Sequence, residues 1–205
     1  MLPADVSTQR LSGAKVARMT VKELEQHAAG VLDTVPDWIW DGHSLPVPVE
    51  EVAGSCHSLL VREVDEMASA PGAPPLGPGQ QLSGLLLADR REIWVNAAEA
   101  REWPGRRRFT IGHELGHWVM HRRPGQQSLF CRHGTVHPTE APETEPSELS
   151  LEDEANVFAA ALTMPAELIR THYAALREER DCFERMCELF GSSQAAMGKR
   201  LQAVV

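Results

Sequence analysis

"RRRFTIGHELGHWVMH", residues 106–121, carries His113 and His117 four residues apart, with Glu114 directly after the first. In an α-helix each residue advances about 100 degrees, so two imidazoles at this spacing leave one face, a turn apart, where they can grip a single ion. With Ile111 at zero, the histidines fall near roughly 200 and 240 degrees, while Leu115, Trp118 and Val119 lie on the other side, between roughly 340 and 80 degrees. The segment is therefore expected to bury an apolar face in the core and turn its histidine face to a cleft. Glu114, near roughly 300 degrees, sits beside the histidines, where it can reach a water without competing as a ligand. Two neutral imidazoles and one further carboxylate would hold a zinc ion, and Glu114 would act as general base toward a water activated there. The same pattern also fits helix histidines on a solvated face, so a third ligand has to decide.

"LEDEANVFAAAL", residues 151–162, supplies Glu152, Asp153 and Glu154. With Leu151 at zero, the apolar stripe of Leu151, Ala155, Phe158 and Leu162 centres near roughly 10 degrees. Glu154 lies about 70 degrees and Glu152 about 90 degrees from that centre, while Asp153 points away toward solvent. Glu154 is the carboxylate best placed at the boundary of core and cleft, although geometry separates it only narrowly from Glu152.

The 205-residue chain is long enough for one domain with a substantial core, with or without a small helical appendage. Hydrophobic residues at 42% and charged residues at 24% exclude wholesale disorder and a membrane-protein composition. A net charge of -9 argues against a protein whose main work is coating nucleic acid. Residues 1–20 lack an apolar core of secretory length, and no run approaches a membrane span, so a cytoplasmic location is expected. Cys56, Cys131, Cys182 and Cys187 form no C-x-x-C pair and read as free thiols.

Val21 to Val35 has the spacing of an amphipathic helix, and "PVPVEEVAGSC" reads as a short one. "SLLVREV" (58–64) predicts a strand, and "SGLLLADRREIWVN" (83–96) a hairpin turning at "ADRRE". "SAPGAPPLGPGQ" (69–80) and the acidic "GTVHPTEAPETEPSE" (134–148) read as loops, the second lying between the two site helices as an insertion or a lid. Pro165 separates the "EDEAN" helix from another, and "DCFERMCELFGSSQAAMGKRLQAV" reads as two helices about Gly191-Ser192-Ser193.

"RRRFTIGHELGHWVMH", "EDEANVFAAALTMP", "PVPVEEVA" and "SGLLLADRREIWVN", in their order, resemble the ImmA/IrrE family of cytoplasmic zinc metallopeptidases, over roughly residues 20–170. The resemblance implies an α+β, minimal zincin-like domain, a small twisted sheet packed on helices, with a helical C-terminal portion. It divides the chain into an extension (1–20), the peptidase domain (21–170) and a helical region (171–205). It implies zinc held by His113, His117 and the E-A-N glutamate, Glu154, with Glu114 as catalytic base. It further implies endopeptidase action on a helix-turn-helix transcriptional repressor, as in phage induction. The alternative is a non-catalytic zinc domain that relieves repression by binding a repressor or DNA. Gly112 stands where the family usually has alanine, and Thr163 where "LLMP" has leucine.

Other residues carry less. Cys131, His133 and His137 lack a fourth ligand at a standard metal spacing and read as loop residues. His133, His137, His172 and Tyr173 are the candidates for stabilising an oxyanion. His121, one turn past His117, could support it or simply end the helix. Arg106 to Arg108 read as a solvated face, with ion pairs the lesser option. Residues 187–201 vaguely resemble a helix-turn-helix, but only Lys199 and Arg200 are basic there, so direct nucleic-acid binding is not expected and packing against the catalytic domain is favoured.

Overall fold

The computed structural model of the chain describes residues 18–70, 73, 81–122 and 150–205, with the backbone alone of Leu129–Gly134. Its first helix, α1 (Val21–Asp33), begins at a capping box in which Thr20 and Glu23 satisfy each other's backbone N–H groups. Leu24, Ala28, Val31 and Leu32 form its buried stripe. Val21, expected within that stripe, is half exposed at the helix start. The proline-flanked α2 (Val49–Glu51) widens directly into a π-helical turn, Val52–Cys56.

Three strands follow the expected order: β1 (Leu60–Val64), β2 (Gln81–Leu87) and β3 (Glu92–Asn96). The turn between β2 and β3 is a 3-10 turn, Ala88–Arg90, closed by Arg91 in the left-handed region at φ 55. Arg91 is held there by its guanidinium, which donates to the carbonyls of His57 and Ser58. A fourth strand, β4 (Leu129–Gly134), was not expected from the sequence; it pairs antiparallel with β2 and gives the order β1-β3-β2-β4. β1 runs parallel to β3, and β2 antiparallel to it. The β2–β4 register shifts between Leu82 and Gly84, a bulge that makes Ser83 the extra residue.

Asn96 ends β3 and caps the short α3 (Ala97–Glu102). Pro104 then opens α4 (Pro104–Gly116), its missing N–H costing nothing at this position, and α4 widens into a second π-helical turn, His117–His121. Ser150 and Asp153 cap α5 (Leu151–Thr163) reciprocally, which explains the outward direction of Asp153. After Pro165 come α6 (Ala166–Leu176), α7 (Cys182–Phe190), stopped by Gly191 at φ 55, and α8 (Gln194–Val204), capped by Ser193.

The fold is α+β. α4 packs on β2 and β3 on one side and on α5 on the other, while α5 packs in turn against α1. Leu86, Ile93, Val95, Ile111, Leu115, Phe158 and Leu162 fill the space between. Gly116 allows the α4–α5 approach, because a Cβ there would come within 2.9 Å of the Phe158 ring. Gly112 and Thr163, the two departures from the family pattern, face each other across the same crossing. A Cβ on Gly112 would stand 3.4 Å from the Thr163 methyl, whose hydroxyl donates to the Ala159 carbonyl.

The arginine run is not a solvated face. Arg106 pairs with Glu99 and donates to Ser83, Arg107 bridges Glu50 and Glu63, and Arg108 donates to the Val47 carbonyl. These contacts join the start of α4 to the sheet and to the segment before it. A second core of Met164, Ile169, Leu176, Met186, Phe190 and Met197 unites α6, α7 and α8. Arg200 of α8 is buried, bound through both terminal nitrogens to Glu25 of α1 and through Nε to the Met164 carbonyl. One of the two cations expected to be available for phosphate is thus consumed internally.

Among the described residues, Cys56, Cys182 and Cys187 are free thiols, and no helix is long and apolar enough to cross a membrane. The side chains of Cys131 and His133, His137, and most of the loops at 69–80 and 134–148 lie outside the described residues.

Candidate metal centre

α4 carries the histidine pair into the interior. His113, Glu114 and His117 are all fully buried, enclosed with Ile111 and Leu115 between the sheet and α5. The expected cleft face is therefore covered by protein, and of His113, His117 and Glu152 only Glu152 reaches the surface, its side chain 49% exposed. The two Nε2 atoms are 3.1 Å apart. Glu152 reaches both, with Oε2 3.1 Å from His113 Nε2 and Oε1 3.2 Å from His117 Nε2. His113, His117 and Glu152 each offer one ligand atom, all within 4.8 Å of one another, so the three form a group able to hold a metal ion.

Glu154, the carboxylate expected here, is placed elsewhere. Its Oε2 lies 2.8 Å from His121 Nε2, and its Oε1 accepts from the Met19 backbone N–H at 3.0 Å. The correction has a simple cause. Glu152 and Glu154 flank the apolar stripe of α5 on opposite sides, two residues or about 200 degrees apart. The flank of Glu152 faces the histidine pair, and the flank of Glu154 faces the start of α1 and the π turn. Angles within one helix rank the two glutamates by depth but do not say which flank the neighbouring helix occupies.

Asn156, one turn beyond Glu152 on the same flank, places Oδ1 3.0 Å from His113 Nδ1. His121 places Nδ1 2.9 Å from His117 Nδ1. Both site histidines thus have their Nδ1 atoms engaged, which leaves both Nε2 atoms directed at Glu152. Burial lowers the His121 pKa, against the opposing pull of Glu154, and so favours the neutral ring. The "EDEAN" segment is legible in retrospect as one contact every second residue: Glu152 to both histidines, Glu154 to His121, Asn156 to His113.

Gly84 also belongs to the site. A Cβ there would lie 2.4 Å from the Thr110 methyl and 2.7 Å from Glu114 Oε1, so the bare backbone of the bulged β2 makes the space that Glu114 fills. A glycine inside the apolar strand "SGLLL" was the available signal for such a close approach. Of the oxyanion candidates, His172 stacks edge-on against Phe190 and Tyr173 packs on the same C-terminal core. The side chains of His133 and His137 lie outside the described residues.

The model of peptidase family M78, described as the IrrE N-terminal-like domain, matches residues 77–202, more than half of the chain. No curated protein matches it.

Proposed function

The chain belongs to the IrrE N-terminal-like domain family of peptidases, and on that premise we propose that it is a cytoplasmic zinc endopeptidase with a transcriptional repressor of helix-turn-helix type as its substrate. The observation that carries the chemistry is the convergence of His113, His117 and Glu152 on one point, with both Nδ1 atoms already engaged. Two imidazole Nε2 atoms and one carboxylate are the donor set of an open zinc site, so the residues fit the ion. Zinc, when bound, supplies Lewis acidity toward a water and toward the carbonyl of the scissile peptide.

The protein's own residues supply the rest. His113 and His117, fixed on one helical turn, contribute neutral nitrogen ligands, and Glu152 contributes the negative charge that offsets part of the cation's. Glu114 is buried between Thr110 and the glycine backbone of β2, close to the histidines without joining their group. It serves as general base, taking a proton from the attacking water and passing it to the departing amine.

Glu114→Gln tests this reading. The variant should bind one zinc ion as tightly as the parent and cleave the helix-turn-helix repressor proposed as substrate at least about a hundredfold more slowly, as expected for loss of a general base. Mass spectrometry of the purified repressor after incubation gives the readout. Undiminished release of repressor from its operator by Glu114→Gln would instead establish a regulator that acts by binding.

A further inference from the structure

The metal-facing pair is backed by a hydrogen-bonded chain from three elements. His117 Nδ1 meets His121 Nδ1 at 2.9 Å, His121 Nε2 meets Glu154 Oε2 at 2.8 Å, and Glu154 Oε1 receives the Met19 N–H at 3.0 Å. Solvent is excluded throughout, since the side chains of His117, His121 and Glu154 are 0%, 4% and 3% exposed. With Glu154 ionised and His121 neutral, the direction of each bond is fixed. An ionised carboxylate only accepts, so the proton between Glu154 and His121 sits on His121 Nε2. A neutral imidazole with Nε2–H has a bare Nδ1, so His121 accepts, and His117 must donate from Nδ1. His117 Nε2 then carries its lone pair toward the point shared with His113 and Glu152. His117 and His121 bracket the π turn, and their rings lie 5.0 Å apart between centroids.

We propose that His121 and Glu154 are positioning residues for the metal, a relay that locks His117 in the Nδ1–H tautomer and aims its Nε2, with the start of α1 tied to the relay through the Met19 N–H. The inference rests on the metal site proposed above and deepens it. Glu154 thereby has a function distinct from ligation, and His113 has a simpler support of the same kind in Asn156. Outer partners of this sort typically change metal affinity by about 10–100-fold when removed.

Two experiments decide. In metal-free protein at a pH where the imidazoles are neutral, long-range proton–nitrogen NMR should find His117 as the Nδ1–H tautomer and His121 as the Nε2–H tautomer; His117 with its proton on Nε2 overturns the relay without any variant. Zinc affinity, measured by competition with a chelating dye, should fall by about 10–100-fold in His121→Phe. His121→Asn, whose Oδ1 replaces the lost acceptor, should recover most of it. Both variants remove the imidazole donor to Glu154, so the difference between them reports the acceptor alone. Wild-type affinity in His121→Phe overturns the relay and leaves the metal site standing. Wild-type affinity in His113→Ala, His117→Ala and Glu152→Gln would overturn the metal site itself.

Discussion

Gly84 illustrates how one residue can set the position of another. It has no side chain because Glu114 and Thr110 occupy the space, at distances no Cβ could share. Gly84→Ala should therefore displace Glu114, lowering stability by about 1–3 kcal/mol as overpacking does and cleavage rate by about tenfold or more. Zinc binding should persist, because the two histidines and Glu152 are untouched; an assay pairing zinc stoichiometry with repressor cleavage separates the effects. Asp41 gives a prediction for pH. It accepts from the backbone N–H of Ser44, the Ser44 hydroxyl and the His43 N–H, which lower its pKa from an ordinary 3.8 to about 2. A depressed carboxylate pKa stabilises the fold above the unfolded value, and the benefit fades as pH falls through the folded one. The urea midpoints of the parent and Asp41→Ala should therefore differ above pH ~4 and converge toward pH ~2. At this scale His113, Glu114 and His117 were legible, being written in one helical repeat. Glu152 was legible only as one of two candidates, since flank and depth are separate coordinates.

Elements respond to the space around them, and the glycines of α1 and α4 make the contrast measurable. Gly30 in α1 is exposed, with no atom near a would-be Cβ, so Gly30→Ala should raise stability by about 1 kcal/mol through helix propensity. Gly116 in α4 faces the Phe158 ring at 2.9 Å, so Gly116→Ala should lower stability by about 1–3 kcal/mol despite the same propensity gain. Thermal or urea unfolding of the two variants should move in opposite directions. Most helices could be read from their periodicity and caps, because both are local. β4 could not, since "LFCRHG" earns its strand from pairing with β2 and has no alternation of its own. The π turn was invisible for a related reason: an α-helical wheel assigns His121 an angle that the widened turn does not keep.

The whole molecule is joined end to end by Arg200. Its guanidinium reaches Glu25 across 175 residues and also the carbonyl that ends α5, so the last helix is clamped to the first. Arg200→Ala should destabilise the protein by about 2–3 kcal/mol, less than a fully buried pair because Glu25 is 28% exposed, whereas Lys199→Ala should leave stability unchanged. Equilibrium unfolding of both variants checks this. The family match through residue 202 includes these last helices, beyond the 20–170 span over which the resemblance was read.

Periodicity alone placed His113, Glu114 and His117 together on one helix, because helical repeat is encoded within a few neighbouring residues, and the order of motifs carried the resemblance that implied the α+β fold. Which glutamate meets those histidines, which carboxylate stands behind His121, and where Arg200 spends its charge were decided only in three dimensions. Each depends on side chains 33 to 175 residues apart meeting across packed elements, and no local pattern carries the distance or the side from which a distant helix arrives.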